Sequence, residues 1–386
     1  MFWIKAMTFN YEKSNRYFAL IAEGMEELGT QELETLGATD IKTGFRGIYF
    51  SAEPSALYRI NYLSRLLTRI LAPLMDFDCH SSNYLYKTAM NIPWTDLLGI
   101  EDTFRISANV SRSNITHSQY AALLIKDAIA DTFMQKYDKR PNVERIDPDV
   151  CFHLHLDNNH ATIYLDTSGG SLHRRGYRKI SIKAPMQETL AAAIIQMSEW
   201  DGSHPLYDPM CGSGTLLAEA AMHYCQIPSG LFRKKYGLFF LPDFDQELWK
   251  ATRAKADKEI RGLEKGLING SDLSGEAIHA ARSNLEAIPG AISIGLKKTR
   301  FKDISGLNNH TIVCNPPYGK RMGNADDTKA LIKDLGDFLK QHCSGSQAYI
   351  FFGNRELIKS VGLRPSWKKP LKNGPLDGRL VKFDLY

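Results

Sequence analysis

The C-terminal half of the chain alternates short apolar segments with helical ones, and this order restricts the fold more than any other feature. The apolar segments lie near 204–209, 266–272, 310–317 and 347–353. Helical stretches follow them near 214–225, 275–287, 326–341 and 354–361. Repeated strand–helix units build a parallel, doubly wound sheet with helices on both faces. The sequence therefore predicts an α/β domain whose ligands bind beyond the carboxyl ends of its strands.

Two smaller α+β units are predicted before this domain. Residues 1–79 show the order strand, helix, strand, strand, helix, strand, which is typical of a ferredoxin-like unit. Residues 80–168 form the second unit, with a long helix and a C-terminal hairpin. A basic linker, residues 169–183, joins both units to the α/β domain, which we expect to span residues 184–386.

Composition excludes several classes of protein. The 386 residues are 43% hydrophobic, which excludes a disordered chain. We expect a cytoplasmic protein, because the sequence shows neither a signal peptide nor the ~20 consecutive apolar residues of a membrane span. The six cysteines form no C-x-x-C pair, so reduced, mostly buried thiols are expected. His153 and His155 lie on one face of a predicted strand, but a third ligand is missing and no metal site is predicted.

Basic residues are clustered and interleaved with aromatic ones. Residues 172–183 contain five Lys or Arg and no acid, and smaller clusters lie at 233–235, 297–302 and 364–372. Each cluster contains or adjoins an aromatic residue, which favours a polyanion that also offers bases for stacking. We expect three arginines of the linker to contact nucleic-acid phosphates, with intramolecular salt bridges as the alternative: Arg174, Arg175 and Arg178.

A glycine-containing loop follows the first strand of the α/β domain. Residues 208–215 read DPMCGSGT, and Gly212 and Gly214 allow the backbone to turn tightly and to approach a ligand closely. A dinucleotide-binding loop would need a third small residue where Leu217 stands, and no phosphate-binding loop with Gly-Lys-Ser/Thr is present. The loop therefore predicts close approach to a ligand that lacks a pyrophosphate.

Two aspartates follow the next strands. Asp272 ends the segment GLINGSD, where a carboxylate can accept hydrogen bonds from both ribose hydroxyls of a nucleoside. Asp303 lies where a third strand should end and could reach an adenine amine. The distance along the chain between Asp208 and Asp272 exceeds that of a minimal unit, so residues 227–262 are predicted to be an insertion near the active face.

The motif Asn315-Pro316-Pro317-Tyr318 comes directly after an apolar strand. Consecutive prolines cannot continue a sheet ladder, so the chain must leave the sheet here with fixed backbone torsions. The Asn315 amide oxygen and the carbonyls at 315 and 316 are free acceptors, and Tyr318 offers a flat face. Acceptors that hold the two hydrogens of an aryl amine, with a ring stacked on the base, would present the nitrogen lone pair for reaction.

These motifs, in this order at successive strand ends, resemble those of class I amino-methyltransferases. Residues 80–168 resemble a THUMP domain, which is an RNA-binding module. The segment SLHRRGYR at 171–178 is similar to the join between the THUMP and catalytic domains of bacterial 23S ribosomal RNA guanine-N2 methyltransferases. Some members of that family carry a second methyltransferase domain, and this chain, which ends at Tyr386, resembles the form with a single catalytic domain.

The resemblance implies S-adenosyl-L-methionine as cofactor and 23S rRNA, or a ribosomal assembly intermediate, as partner. It assigns Asp272 to the ribose, Asp303 to the adenine, and the residues of the 315–318 motif to the guanine N2 amine. The other implied cofactor contacts are Pro185, Asp208, Pro209, Cys211, Gly212 and Gly214. Three alternatives stay open: a tRNA guanine-N2 methyltransferase, an adenine-N6 DNA methyltransferase, and a noncatalytic RNA-binding factor.

Overall fold

The computed structural model describes residues 8–182, 185–317, 325–373 and 376–386. Its strands are β1 (Arg16–Leu20), β2 (Thr39–Gly44), β3 (Gly47–Ser51), β4 (Arg69–Asp78), β5 (Thr103–Ser111), β6 (Asn142–Val143), β7 (Val150–Asp157), β8 (His160–Asp166), β9 (Leu206–Asp208), β10 (Ile268–Asp272), β11 (Gly295–Lys298), β12 (Thr311–Cys314), β13 (Gln347–Phe352), β14 (Trp367–Asn373) and β15 (Leu376–Asp384).

The helices surround two sheets built from these strands. They are α1 (Asn10–Ser14), α2 (Glu26–Thr35), α3 (Pro54–Leu63), α4 (Ser82–Ala89), α5 (Ser118–Tyr137), α6 (Glu188–Met197), α7 (Thr215–Tyr224), α8 (Gln246–Asp257), α9 (Gly275–Leu285) and α10 (Ala325–His342). Their order confirms the predicted sequence of a ferredoxin-like unit, a THUMP-like unit and an α/β domain. The segment at 355–361, for which we expected an α-helix, is a 3₁₀-helix.

The two N-terminal units share one sheet. Its strand order is β2-β3-β1-β4-β8-β7-β5-β6. Within it, β2, β3, β1 and β4 are each antiparallel to their neighbours and stand in the order of a ferredoxin-like unit. β4 continues the sheet into the second unit, because it pairs antiparallel with β8 from Leu71 opposite Asp166 to Asp78 opposite His160. The boundary predicted at residue 79 therefore lies at the end of a strand that belongs to both units.

The C-terminal sheet has the order β11-β10-β9-β12-β13-β15-β14. The strands from β9 to β13 are parallel to their neighbours, as predicted, but β15 runs antiparallel to both β13 and β14. The chain order reverses between β9 and β12, and an open α/β sheet has its ligand crevice at such a reversal. One apolar core continues from the N-terminal sheet into this domain, and a second core lies under α10.

Residues 227–262, here called the insert, do not lie at the active face as the sequence analysis expected. They pack against the N-terminal half, where α8 lies on α3 and the ring of Trp249 contacts the rings of Tyr58 and Tyr62 at centroid distances of 5.9 and 5.8 Å. The Gly230 N–H also donates to the Tyr62 carbonyl at 2.9 Å. The insert therefore attaches the α/β domain to the N-terminal sheet.

Candidate active site

The carboxyl ends of β9, β10 and β12 bring Asp208, Asp272 and Asn315 to one cavity of about 760 Å³. The cavity lies at the predicted crevice, because parallel strands end at the same edge of the sheet. Its volume falls within the range of roughly 300–1,000 Å³ that is usual for small-molecule sites. Three sequence motifs that are far apart along the chain therefore form one site.

The loop after β9 is held in a tight turn against β10. Gly212 and Gly214 have φ of +54° and +79°, a region that side-chain-bearing residues avoid. A Cβ at Gly214 would also lie 3.1 Å from the Cβ of Ala281 on α9. The two oxygens of Asp272 accept hydrogen bonds from the Gly212 and Ser274 N–H groups at 2.9 and 2.8 Å. Asp272 therefore fixes the loop beside the cavity as well as lining it.

Asp208 is buried at the base of the cavity. Its carboxylate accepts a hydrogen bond from the Met210 N–H at 3.0 Å. Burial, with a smaller contribution from the charge of Asp272, raises the pKa of Asp208 to about 8. Burial and the same two carboxylates raise the pKa of the Cys211 and Cys314 thiols well above their usual range. These cysteines are therefore neutral thiols at neutral pH and unsuited to nucleophilic chemistry.

Asn315 places an unpaired acceptor in the cavity. Its Oδ1 is buried and has no hydrogen-bond partner among the described residues. A buried amide oxygen without a partner costs free energy, so such groups are rare unless a ligand completes them. Pro317 lines the same cavity, and Pro316 is buried behind it. The fourth residue of this motif, Tyr318, lies outside the described residues.

One wall of the cavity is the segment 180–182, which Asn284 of α9 holds in place. The buried amide of Asn284 accepts from the Lys179 and Ile180 N–H groups at 2.7 and 2.9 Å. It also donates to the Ile180 carbonyl at 2.9 Å and to the Ser213 carbonyl at 3.1 Å. This single side chain therefore ties the end of the linker to the glycine loop.

The structure brings most of the predicted site residues together and leaves others apart. The cavity is lined by Pro185, Asp208, Cys211, Gly212, Asp272, Asn315 and Pro317. Pro209 and Gly214 are buried in the loop behind the lining. Asp303 is exposed in the 3₁₀ turn Phe301–Asp303 and does not line the cavity.

Two of the three arginines for which we expected RNA contacts are bound within the protein instead. Arg175 is 1% exposed, and its guanidinium donates to Glu219 at 3.4 Å and to the Leu172 carbonyl at 2.9 Å. The Arg178 guanidinium pairs with Glu188 at 2.9 Å and bonds the Ser213 hydroxyl at 3.2 Å. Arg174 is exposed, so it alone of the three presents its side chain to solvent.

The sequence analysis did not include three polar lining residues from the start of α9: Ser274, Glu276 and His279. Ser274 caps this helix, because its hydroxyl accepts from the Ala277 N–H at 3.3 Å. The helix begins at the end of β10, so its first turns face the crevice. The spacing of three residues between Glu276 and His279 places both on one face, a signal that was present in the sequence.

Comparison of the sequence with known protein families identifies the family to which the chain belongs. A model described as the RMKL-like methyltransferase domain matches residues 175–382, more than half of the chain. The chain belongs to the RMKL-like methyltransferase family. In this family member the preceding regions also match known domains, a THUMP domain at 79–166 and an RlmL ferredoxin-like domain at 16–71. The resemblance drawn from the sequence motifs is thereby confirmed.

Individual relatives cover almost the whole chain. A Synechocystis sp. protein with the provisional name of an RNA methyltransferase is 38% identical over 371 residues, 96% of this chain and 97% of that protein. The ribosomal RNA large subunit methyltransferase K/L of Syntrophotalea carbinolica is 36% identical over 96% of this chain. The match covers 53% of that enzyme, so this RMKL-like chain spans about half the length of the K/L relative.

A solved structure has the same architecture. SMU.472, described as a methyltransferase complexed with SAH, superposes with a TM-score of 0.84 at 25% identity, over 97% of this chain and 98% of that one. In the described part of the chain, no group of three or more His, Cys, Asp or Glu side chains could hold a metal ion. The described helices also include none with the length and apolar character required to cross a membrane.

Proposed function

We propose that this chain transfers a methyl group from S-adenosylmethionine to the exocyclic N2 amine of a guanine in 23S rRNA. The observation that carries the proposal is the buried Oδ1 of Asn315, which has no hydrogen-bond partner in the described part of the chain and shares a cavity with Asp272. An amine hydrogen of the target base would complete this acceptor. Membership of a methyltransferase family and the THUMP match support the same reaction on RNA.

The residues present fit S-adenosylmethionine. The glycine loop brings backbone to the cavity surface, and Asp272 supplies carboxylate oxygens for ribose hydroxyls. Pro185 and Cys211 lie along the same lining, and SMU.472, of the same architecture, was solved with SAH, the demethylated product. When bound, S-adenosylmethionine supplies a methyl group on a sulfonium, which is already an activated leaving group. The role of the exposed Asp303 at the adenine stays a prediction.

Asn315 would orient the target amine. An aryl amine is a poor nucleophile because its lone pair is delocalised into the ring. Acceptors at Oδ1 of Asn315 and at the backbone carbonyls of 315 and 316 would hold the two amine hydrogens and direct the lone pair out of the ring plane. Pro316 and Pro317 fix the torsions of this segment before the base arrives. We propose that Tyr318 stacks on the base.

The choice of 23S rRNA rests on the relatives. The K/L enzymes are named for the ribosomal RNA of the large subunit, and the chain matches them across about half of their length. A tRNA guanine, a DNA adenine and an RNA bound without methylation are the other outcomes that the experiment must separate. The N-terminal half, with its THUMP match, favours RNA over DNA.

The test is a methylation assay in vitro with a labelled methyl donor. Unmethylated 23S rRNA, unmodified tRNA and duplex DNA are incubated with the wild-type protein and with Asn315→Ala, and the digested nucleosides are identified by mass spectrometry. We expect N2-methylguanosine from 23S rRNA with the wild-type protein only. Methylguanosine from tRNA alone, methyladenine from DNA, or no product with any substrate would each overturn the proposal.

A further inference from the structure

The insert forms a second cavity, of about 510 Å³, away from the methyl-transfer site. Its aromatic lining is Phe239, Phe244 and Trp249, and its basic lining is Lys250 and Arg253. None of these residues lines the cavity that holds Asp272 and Asn315. The cavity therefore needs an explanation of its own.

Domain packing explains only part of this aromatic cluster. Trp249 is 5% exposed and lies within 6 Å, centroid to centroid, of the rings of Tyr58, Tyr62 and Tyr236. Phe239 differs, because the residue is 37% exposed although its ring lies 5.1 Å from Phe244 and 5.7 Å from Trp249. An aromatic ring that is fixed by neighbours and open on one side is a stacking surface for another ring.

Cations adjoin this open ring. The Arg253 guanidinium lies over the ring of Tyr62 at 5.0 Å, and its Nε is buried without a hydrogen-bond partner among the described residues. Lys250 stands on the rim with 59% of its side chain exposed, paired only with Glu247 of its own helix in the described part of the chain. The carboxylate in the lining, Asp257, accepts the Tyr62 hydroxyl at 2.6 Å.

The charge of the insert is complementary to a polyanion. It holds eight Lys or Arg against five Asp or Glu in 36 residues, in a chain whose formal net charge is +5. Single-stranded nucleic acid is bound by this combination of aromatic stacking and positive charge. Packing between domains does not require the exposed ring of Phe239.

We propose that this cavity binds an unpaired nucleotide of the RNA substrate, whose base stacks on Phe239 and whose phosphate pairs with Lys250 and Arg253. The inference rests on the proposed function, because it takes RNA as the substrate. It adds a contact on the α/β domain outside both the THUMP unit and the methyl-transfer pocket. The site is one of affinity and orientation, and it takes no part in the chemistry.

The test uses the full chain with two variants and one matched control. Phe239→Ala removes the stacking surface, and Lys250→Glu reverses the charge on the rim. Lys255→Glu makes the same charge change on the same helix, at an exposed position that does not line the cavity. Binding of a 23S rRNA transcript is measured by filter binding over a salt series, with S-adenosylmethionine affinity and melting temperature measured in parallel.

We expect Phe239→Ala to weaken RNA binding about tenfold, the loss that a single base–aromatic stack of about 1.4 kcal/mol represents. Lys250→Glu should weaken RNA binding more than Lys255→Glu. Cofactor affinity should be unchanged in all three variants, and the melting temperature should be unchanged in the two charge variants, whereas Phe239→Ala should lower it modestly because its ring packs on Phe244 and Trp249. A photo-crosslink from 4-thiouridine in the RNA to the peptide around Phe239 should persist in excess free mononucleotide. Loss of that crosslink would identify a free nucleotide as the ligand and overturn the RNA assignment.

Two results would overturn the cavity as an RNA site while leaving the proposed function intact. One is wild-type RNA affinity in Phe239→Ala, and the other is equal loss in Lys250→Glu and Lys255→Glu, which would indicate a diffuse electrostatic effect. Failure of the wild-type protein itself to bind or methylate RNA would instead overturn both proposals.

Discussion

At the scale of single residues, Asn315 carries the most specific expectation. We expect Asn315→Ala to lower the single-turnover rate of methyl transfer by roughly 100-fold or more, as removal of one preorganised polar group at a transition state does. Cofactor affinity should stay close to normal, because the Asn315 acceptor serves the target amine and not the bound cofactor. Rapid-quench assays with a labelled methyl group, beside calorimetry with S-adenosylmethionine, measure both. A rate within a few-fold of wild type would remove Asn315 from the mechanism.

Asp208 gives a prediction about pH at the same scale. Its pKa of about 8 in the folded protein lies above the ordinary value of an unfolded aspartate. Between these two values the folded state binds more protons than the unfolded state, so the contribution of Asp208 to the free energy of unfolding falls as pH rises. For one such group the slope approaches about 1.4 kcal/mol per pH unit.

Asp208→Asn provides the comparison, because the amide oxygen can still accept from the Met210 N–H while the titration is removed. Urea unfolding of both proteins without cofactor, from pH 5 to pH 8, should show a steeper decline for the wild type. If the free energy of unfolding changed with pH in the same way in both proteins, Asp208 would be ionised throughout this range.

At the scale of elements, the junction between the linker, the glycine loop and α9 depends on Asn284. We expect Asn284→Ala to lower the free energy of unfolding by about 1–3 kcal/mol, because it leaves buried backbone groups without partners. S-adenosylmethionine affinity should fall as well, since Ser213 and the wall at 180–182 lose their common attachment. Arg282→Ala, an exposed change on the same helix, is the control for helix propensity. Wild-type cofactor affinity in Asn284→Ala would show that the loop holds its shape unaided.

The elements that position the site could be predicted from the sequence, because apolar strands and their terminal Asp and Asn residues are local features. The final strands could not. β14 reads WKKPLKN, with four residues that disfavour a strand interior: three lysines and Pro370. It is nevertheless a strand because it lies at the edge of the sheet, where proline and lysine are tolerated. Edge position is a property of the assembled sheet and is invisible in the local pattern.

The same distinction applies to the site. Asp208, Asp272 and Asn315 could be predicted because each ends a recognisable strand. Asn284 could not, because its partners at 179 and 180 are more than 100 residues away along the chain. The burial of the Arg175 guanidinium likewise depends on its pairing with Glu219, which lies 44 residues further along the chain. A basic run in a sequence does not reveal which of its charges have buried partners.

At the scale of the whole molecule, the linker and the insert both join the two sheets. Arg65 from the N-terminal half donates to the Met222 and Ile227 carbonyls at 2.9 and 2.7 Å. Arg175 of the linker donates to the Arg65 carbonyl and pairs with Glu219 of α7. The N-terminal half is therefore fixed to the methyltransferase domain by buried polar contacts as well as by the aromatic cluster around Trp249.

This arrangement separates the roles of two adjacent arginines. Arg175→Ala leaves the buried carboxylate of Glu219 with the Tyr177 hydroxyl as its remaining described donor. Breaking a buried pair in this way costs about 3–5 kcal/mol, so the melting temperature should fall by several degrees. Arg174→Ala removes an exposed guanidinium for which the described structure shows no side-chain partner, so its melting temperature should stay at the wild-type value.

For RNA binding we expect the reverse, with Arg174→Ala changing the salt dependence of affinity and Arg175→Ala leaving it unchanged. If Arg174 contacts a phosphate, its removal lowers the magnitude of the slope of log affinity against log salt by about 1, since one counterion fewer is released. Arg175→Ala, measured below its melting temperature, should keep the wild-type slope because its guanidinium is not accessible to RNA. Filter binding of a 23S rRNA transcript from low to moderate salt gives both slopes. An unchanged slope in Arg174→Ala would exclude Arg174 from the RNA interface, whereas a reduced slope in Arg175→Ala would require the buried pair with Glu219 to open when RNA binds.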